Sequence, residues 1–413
     1  MSKIESSAIN KRIINILSND DLDFIAYIIT PFHALGVDAF VYDLFKKYGC
    51  KLEGLVIILE HDRSGFVTNE THFNCSTFAN IRFLYVQKPS FSEKKGSFKL
   101  VKIVSEILIG FLKVKINTFY RKKDLYVISV MSTPISLFRL FDDRKVISKY
   151  SPKFVKIDEG LGTYMDKDFW KLTRRYDLNG MESSRTHLEK IRIICISKTS
   201  NVVKYFINNC FKIESRLIFI QKSQSLLPNK LSINAYKAIL GLNNNDIPEI
   251  IYPVIRKKWI IFASQAFVDY GQINAADYLS ILKEIISVLT EKNYNVALKP
   301  HPRESVNLYK SIINEKKNVF ILPKSLTLEN LLQFHPHATI GFTSTALVTS
   351  NLFYDVPSIS IIEMLLKATD DPLLTITAKQ FKLKFEKFVY LADSTDKFNK
   401  SLDIIIENIN TGS

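Results

Sequence analysis

Short, unbroken runs of apolar residues recur along this chain, and most are followed by a polar loop and a segment with helical spacing. Phe24–Ile29 is typical, because it is apolar at every position, as expected for a strand buried on both faces. A repeated order of strand, loop and helix is characteristic of parallel α/β sheets. Comparable runs predict further strands at 55–60, 81–86, 126–130, 153–157, 192–197, 216–221, 259–263, 296–298, 319–322, 339–342 and 358–362.

The strands form two series, because the pattern loosens between them into turn and loop signals such as Tyr252-Pro253. We therefore predict an α/β protein of the GT-B type, in which two Rossmann-like domains face each other across a cleft that holds the active site. The predicted divisions are an N-terminal domain at 1–222, a linker at 223–256, a C-terminal domain at 257–390 and a final helix at 391–413.

The chain is strongly basic, with 56 Lys and Arg against 41 Asp and Glu and a net charge of +15. This charge favours anionic partners, although the abundance of Lys, Ile and Asn is also what AT-rich coding produces. The segment 98–123 alternates apolar with basic residues, so it is either an amphipathic helix on anionic lipid or a solvated helix face. We find no nucleic-acid-binding signature, so nucleic acid is not an expected partner.

Several features predict a cytoplasmic protein. The N-terminus lacks the design of a signal peptide, and no apolar run approaches the ~20 residues that a membrane span needs. The cysteines show neither close pairs nor metal-binding spacing, which is typical of reduced thiols. They are Cys50, Cys75, Cys195 and Cys210.

The clearest candidate for chemistry is His301, which follows the predicted strand at 296–298. We predict that Pro302 is the first residue of a helix, so that His301 lies between a strand end and a helix N-terminus, where a phosphate is favoured. Its imidazole could donate to an anionic leaving group and carry a proton. A helix-capping or core histidine is the structural alternative.

Two further loops carry polar residues after predicted strands. Asp158 and Glu159 precede Gly160, and carboxylates at a strand end are expected to point into the cleft, where one could take a proton from a sugar hydroxyl. The alternative is an ordinary turn. Gly341 to Ala346 is a hydroxyl-rich strand-to-helix turn that either caps a helix or holds a phosphate.

Three motifs stand in order along the chain: Ile157-Asp-Glu-Gly-Leu-Gly-Thr-Tyr164, Leu298-Lys-Pro-His-Pro-Arg-Glu304 and Gly341-Phe-Thr-Ser-Thr-Ala-Leu347. In this combination the chain resembles the bacterial capsular polysialyltransferases and lipooligosaccharide sialyltransferases, whose hallmarks are an acidic pair before Gly, a His-Pro motif and a Ser/Thr cluster. Ile29-Thr-Pro-Phe-His33 is similar to the first loop of the lipooligosaccharide branch, so both branches stay open.

The resemblance implies an inverting, metal-independent glycosyltransferase that uses CMP-sialic acid as its donor and no cofactor. Glu159 would be the general base, with Asp158 supporting it, and His301 would contact and protonate the departing phosphate. The N-terminal domain would then bind the acceptor and the C-terminal domain the donor. Expected donor-binding residues are Ser344, Thr345, Thr343, Glu329 at the ribose, Pro302, Lys299 in an accessory role, Ser264, Gln265 and Gly341. Expected acceptor-side residues are Gly160, Thr30 and His33.

Such an enzyme would act on an anionic glycan in capsule or lipooligosaccharide synthesis, either in the cytoplasm or peripherally on the cytoplasmic face of the inner membrane. Because CMP carries one phosphate, an imidazolium, hydroxyls and a helix terminus could stabilise its departure without a divalent ion. Two alternatives stay open. One is a GT-B transferase that uses CMP-Kdo or a UDP-sugar, and the other is a basic protein that binds a polyanion without catalysis.

Overall fold

A computed structural model describes residues 6–60, 68–87, 109, 113–114, 122–130, 140–141, 143–179, 213–222, 225–242 and 249–411. The predicted strand at 192–197 and most of the basic segment at 98–123 lie outside these residues. The described residues form two compact units, and both contain a parallel sheet. The first unit contains the described residues up to Glu159 together with 213–218, and the second contains 160–179 and 219–411.

The first unit is built on a six-stranded sheet of order β3-β2-β1-β4-β5-β6, with every neighbouring pair parallel. Its strands are β1 Phe24–Ile28, β2 Leu52–Glu60, β3 Ala79–Gln87, β4 Lys123–Ser129, β5 Tyr150–Ile157 and β6 Glu214–Arg216. Its helices are α1 Ser6–Asn19, α2 Pro31–Tyr48 and α3 Arg144–Lys149, with 3-10 turns at Glu70–His72 and Cys75–Thr77. This strand order is that of the Rossmann fold.

The second unit repeats the same order in its own six-stranded parallel sheet, β11-β10-β9-β12-β13-β14. Those strands are β9 Trp259–Ala263, β10 Asn295–Lys299, β11 Val319–Ile321, β12 Thr339–Gly341, β13 Ser358–Ser360 and β14 Tyr390–Leu391. A separate antiparallel hairpin pairs β7 Phe219–Lys222 with β8 Ser225–Pro228. The predicted α/β class and the two series of strands are therefore confirmed.

Some helices of the second unit begin at a residue whose side chain caps them, among them α7 (Ala275–Glu291) and α12 (Pro372–Phe385). Asn274 caps α7 by accepting the N–H of Asp277 at 2.9 Å, and Asp371 caps α12 through the N–H of Leu374 at 2.7 Å. The full set is α4 Lys167–Asn179, α5 Lys230–Gly241, α6 Tyr252–Ile255, α7 Ala275–Glu291, α8 Lys310–Glu315, α9 Leu328–Leu332, α10 Thr345–Tyr354, α11 Ile362–Leu366, α12 Pro372–Phe385 and α13 Thr395–Thr411, with 3-10 turns at Leu161–Tyr164, Glu249–Ile251 and Val306–Tyr309.

The structure differs from the predicted divisions of the chain. The described part of the expected linker at 223–256 contains β8, α5 and α6, and Ile251 and Val254 are fully buried in the core of the second unit. The C-terminal helix is not separate either, since Phe398 and Leu402 are buried in that core. It begins at Thr395 because β14 takes residues 390–391 into the sheet. Nonlocal burial, which local turn signals do not report, decides these boundaries.

No helix in the described part of the chain is both long and apolar enough to cross a membrane.

Packing between β1 and β2 predicts a specific weak point in the first core. Phe24 pairs with Gly54 across the two strands, and a Cβ built on Gly54 would lie 2.1 Å from Cζ of the fully buried Phe24 ring. We expect Gly54→Ala to lower the free energy of unfolding by about 1–3 kcal/mol, because overpacking forces the ring or the backbone to move. Urea denaturation measures this loss.

The matched control is Gly241→Ala at the end of α5, where an added Cβ meets nothing within 4 Å. This variant should be neutral or slightly stabilising, by at most ~1 kcal/mol. Equal losses in both variants would contradict the packing argument.

Candidate active site

In the second unit the polar loops lie where the strand order reverses. β9 is flanked by β10 on one side and by β12 on the other, all three parallel, so their carboxyl ends meet at one edge of the sheet. Ser264 and Gln265 follow β9, His301 follows β10, and Thr343 follows β12. This reversal point is where open α/β sheets bind ligands. The structure therefore brings these predicted residues to a single edge within one unit.

Two hydrogen-bonded contacts join these loops directly. The side-chain oxygen of Gln265 accepts the N–H of Thr343 at 2.7 Å and the hydroxyl of Thr343 at 3.3 Å. The main-chain N–H of Ser264 donates to the carbonyl of Lys299 at 3.1 Å. Both Ser264 and Thr343 are buried, so their hydroxyls act within the protein and hold the loops together.

His301 lies in a turn, not at the start of a helix as the sequence suggested. The N–H of Glu304 donates to the carbonyl of His301 at 2.9 Å, and the chain becomes helical only at the 3-10 turn that starts at Val306. The prediction for Pro302 was therefore wrong. The first position of a helix and the second position of a turn both require the φ angle that proline already has, so sequence does not separate them.

The surroundings of His301 keep its imidazole neutral, with a ring N–H that can donate a hydrogen bond. Its Nδ1 accepts the N–H of Arg303 at 3.3 Å, which places the ring proton of the neutral form on Nε2. Burial, together with the charges of Arg303, Lys299 and Lys324, lowers the pKa of His301 to about 4. Near pH 7 the ring is therefore neutral until an anion comes close enough to raise its pKa.

The buried carboxylate of Glu304 beside His301 was not among the residues predicted from the sequence. It is only 1% exposed, and it accepts hydrogen bonds from the His301 N–H and from the hydroxyls of Ser264, Tyr278 and Tyr309. Burial raises its pKa, and the bonds from Ser264, Tyr309 and the His301 N–H oppose that rise. A signal was present in the sequence, since an acidic side chain three residues after a turn residue can bond back to it.

The Ser/Thr motif begins helix α10, as the sequence predicts. Ser344 is its N-cap and accepts the N–H of Ala346 at 3.2 Å, and Thr345 is its first residue. Gly341 ends β12 where the strands crowd together, because a Cβ there would lie 2.7 Å from the carbonyl oxygen of Ala263. Ser344 therefore does cap the helix, and its phosphate-binding role stays a prediction.

A buried lysine and a carboxylate lie behind the histidine turn. The ammonium of Lys299 donates to the carbonyls of Pro300 at 3.0 Å and Lys324 at 3.2 Å. Burial lowers its pKa to about 8, while the charge of Glu329 opposes this shift. Glu329 is in the first turn of α9, and burial raises its pKa while Lys299 lowers it. The two charges thus stabilise each other beside the predicted ribose site.

In the first unit the acidic pair divides into two environments. Asp158 is fully buried and its Oδ2 accepts the N–H of Ile218 at 3.2 Å, so the expectation that both carboxylates leave the core was wrong for Asp158. Glu159 is only partly buried. Burial raises its pKa, the charge of Lys156 opposes this, and the charge of Asp158 adds to it. A partly buried carboxylate with a raised pKa has the properties of a general base.

Thr30 and His33 start helix α2. The Thr30 hydroxyl accepts the N–H of His33, and Nδ1 of His33 accepts the N–H groups of Ile29 and Thr30 at 3.1 and 3.3 Å. Burial lowers the pKa of His33 to about 3, while the adjacent main chain of Glu159 acts in the opposite sense. Both residues therefore hold the strand-to-helix turn next to Glu159, and their acceptor-side role stays a prediction.

The glycine after the acidic pair belongs to the second unit and packs against the Ser/Thr motif. A Cβ on Gly160 would lie 2.9 Å from Oγ1 of Thr345, and the N–H of Leu161 donates to that same oxygen at 3.0 Å. Gly160 also has a φ of +109°, which L side chains rarely adopt. Two predicted motifs, far apart in sequence, therefore meet through one threonine hydroxyl.

Within the described residues there is no group of three or more His, Cys, Asp or Glu side chains arranged to hold a metal ion. Metal independence and the absence of a cofactor stay predictions.

A family model for the alpha-2,8-polysialyltransferases (POLYST) matches residues 24–363, which contain all three motifs and both sheets except β14. The chain is therefore a glycosyltransferase. It belongs to the alpha-2,8-polysialyltransferase family.

Other similarities are more distant. An uncharacterized protein of Methanocaldococcus jannaschii is 26% identical over 175 residues, which are 42% of this chain and 30% of that protein. A sialyltransferase of Photobacterium damsela is 11% identical with a TM-score of 0.42, covering 89% of this chain and 81% of its own. A putative UDP-N-acetylglucosamine 2-epimerase of Listeria monocytogenes is 10% identical with a TM-score of 0.47, covering 95% and 89%. Likeness at this level does not bear on the activity.

The contact between Gly160 and Thr345 can be tested directly. We expect Gly160→Ala to lower the free energy of unfolding by about 1–3 kcal/mol, since the methyl group meets Thr345 and the φ angle is unfavourable for alanine. Because Glu159 precedes Gly160, turnover should also fall at least about tenfold, as displaced catalytic groups commonly cause. Urea denaturation and a transfer assay measure the two effects.

Gly162→Ala is the matched control, because its Cβ would meet the Trp170 ring at an ordinary 3.6 Å. This variant should stay within about 0.5 kcal/mol of the parent in stability. Wild-type turnover in Gly160→Ala would show that the tight approach is unimportant.

Proposed function

We propose that this chain transfers sialic acid from CMP-sialic acid to a hydroxyl of an anionic glycan, with inversion and without a metal ion. The observation that carries the proposal is His301, held in a turn at the reversal point of the second sheet, with its ring proton directed to Nε2. Such a group suits a phosphate that becomes more negative as its bond to the sugar breaks. Membership of the polysialyltransferase family supports the choice of sugar.

The reaction would be a single displacement. Glu159 removes the proton of the acceptor hydroxyl, whose oxygen forms a bond to the anomeric carbon of sialic acid from one face. The bond from that carbon to the CMP phosphate oxygen breaks on the opposite face, and CMP leaves with the electron pair. Attack opposite to the leaving group inverts the anomeric configuration.

The leaving phosphate would first accept hydrogen bonds from uncharged groups. The Nε2–H of the neutral His301 ring donates a hydrogen bond to it. The growing negative charge raises the pKa of the ring, so that the ring can take up a second proton from water, and the imidazolium formed can pass one proton to the phosphate. The hydroxyls of Ser344 and Thr345 and the start of α10 would add donors. Glu329, beside Lys299, would accept the ribose hydroxyls. Asp158 would act indirectly, by fixing the end of β5 beneath Glu159.

The net charge of the chain supports a proposal for the acceptor and the location of the enzyme. A net charge of +15 suits a long anionic acceptor and a negatively charged membrane surface. We therefore propose a role in capsule or lipooligosaccharide synthesis, either in the cytoplasm or peripherally on the cytoplasmic face of the inner membrane.

The direct test incubates the protein with CMP-sialic acid, CMP-Kdo or UDP-sugars and an acceptor panel, and detects released CMP or UDP and the product mass. We expect CMP release and sialylated product from CMP-sialic acid alone. Glu159→Ala and His301→Ala should each lose at least about a hundredfold in turnover, because each removes an acid–base group. Glu407→Ala, exposed on α13, is the control that should retain activity. If CMP or UDP is released only from CMP-Kdo or a UDP-sugar, CMP-sialic acid is not the donor.

The pH dependence follows from Glu159. A general base works only when ionised, and burial raises the pKa of Glu159 above the ordinary 4.5. The rate constant kcat/KM should therefore fall as the pH decreases through a value above 4.5. A pH profile of kcat/KM measures this fall. Each sample is then returned to neutral pH and assayed again, which checks for irreversible unfolding. An acid limb at or below 4.5 would argue against Glu159 as the base.

A further inference from the structure

We propose that Glu304 is the positioning residue for His301, holding the imidazole in the place and tautomer in which it meets the departing phosphate. This inference deepens the transferase function proposed above and rests on it for the role of His301. The position of Glu304 itself depends only on contacts within the second unit.

The histidine turn is closed from both sides by the same residue. The N–H of Glu304 donates to the carbonyl of His301 at 2.9 Å, and the N–H of His301 donates back to Oε2 of Glu304 at 2.5 Å. The N–H of Arg303, between them, donates to Nδ1 of the ring at 3.3 Å. If the turn opens, the Arg303 N–H moves, and the bond that selects the Nε2–H tautomer is lost with it. The carboxylate therefore acts on the ring through the main chain.

The carboxylate also ties the turn to the core. Its Oε1 accepts the hydroxyl of Tyr309 at 2.5 Å and that of Tyr278 at 3.4 Å, and its Oε2 accepts the hydroxyl of Ser264. Both tyrosines are fully buried. Ser264 directly follows β9, Tyr278 belongs to α7 and Tyr309 ends a 3-10 turn, so the histidine turn is attached to three separate parts of the unit. This rigidity is what precise positioning of a catalytic group needs.

A carboxylate suits this place because every neighbour donates to it. Its two oxygens can accept the bonds from the His301 N–H and from the Ser264 and Tyr309 hydroxyls, and the Tyr278 hydroxyl lies between Glu304 at 3.4 Å and the Gln265 carbonyl at 3.3 Å. Such partners are required because the residue is only 1% exposed. Glutamine would fill the same volume, but its NH₂ group would face hydroxyls that must rotate to accept. The main-chain N–H of His301 has no such freedom. Glu304→Gln should therefore keep the fold while loosening the turn.

The first measurement separates positioning from donor binding. We expect Glu304→Gln to lower kcat by about tenfold or more, with a smaller change in the KM for the donor, because a misplaced His301 harms the transition state more than the ground state. Glu363→Gln is the matched control, since Glu363 pairs with Lys382 on the surface of the same unit. Unchanged kcat in folded Glu304→Gln would overturn the proposal.

The second measurement asks whether Glu304 acts through His301. In a His301→Gln background, Glu304→Gln should change kcat by less than about twofold, because the group it positions is already gone. If the two losses multiply instead, Glu304 stabilises the unit generally and does not position the ring. Tyr309→Phe removes one donor and keeps the carboxylate, so it gives a milder version of the test if Glu304→Gln fails to fold.

The third measurement does not depend on activity. In protein labelled with ¹⁵N at its seven histidines, the His301 signals, assigned with His301→Gln, should report the Nε2–H tautomer. Glu304→Gln should shift them toward a mixture of tautomers. Unaltered His301 signals would refute the positioning role even in an active enzyme. If no donor is turned over, the proposed function fails. The tautomer measurement still shows whether Glu304 positions the His301 ring.

Discussion

Parallel pairing of β9 with both β10 and β12 is the constraint on which the second unit depends. It requires all three strands to end at the same edge, so loops separated by dozens of residues in sequence emerge together. Without it the His-Pro and Ser/Thr motifs would be short local patterns. The crowding at this edge explains Gly341, where even a methyl group would strike the carbonyl of Ala263.

Polar groups that hydrogen-bond to one another inside the protein hold this edge of the sheet together. Gln265 is bonded to Thr343, the N–H of Ser264 to the Lys299 carbonyl, and Glu304 to the hydroxyls of Ser264 and Tyr309 and to the His301 N–H. Buried polar groups of this kind must find partners, and here the partners connect neighbouring loops. Residues near a ligand site thus divide into those that could face a ligand and those that fix the loops. Ser264, Gln265 and Glu304 fix the loops, and the donor-binding role of Ser264 and Gln265 stays a prediction.

Burial shifts the pKa of His301 in the second unit downward and the pKa of Glu159 in the first unit upward. In the second, burial and the cations Arg303, Lys299 and Lys324 keep His301 neutral, a state that an arriving anion reverses. In the first, burial favours the protonated form of Glu159, and the neighbouring charge of Asp158 adds to this. Side chains whose pKa values are shifted from their ordinary ranges by their surroundings are a common feature of catalytic sites, which supports the roles proposed for His301 and Glu159.

The sequence by itself determined the fold class and the location of the motifs. Unbroken apolar runs such as Phe24–Ile28 and Trp259–Ala263 report burial on both faces, which depends on each segment alone. The His-Pro and Ser/Thr motifs follow such runs, and the acidic motif follows the strand predicted at 153–157, so their place at strand ends could be predicted.

Only the tertiary structure decided what each polar residue does there. The turn at Pro302, the burial of Asp158 and the inclusion of 225–242 in the second unit arise from contacts between residues distant in sequence. Glu304 shows the reason most clearly, because its partner Ser264 is forty positions away and no local pattern records that contact. Local composition sets which segments are buried, whereas the partner of each buried polar group is set by which strands lie side by side.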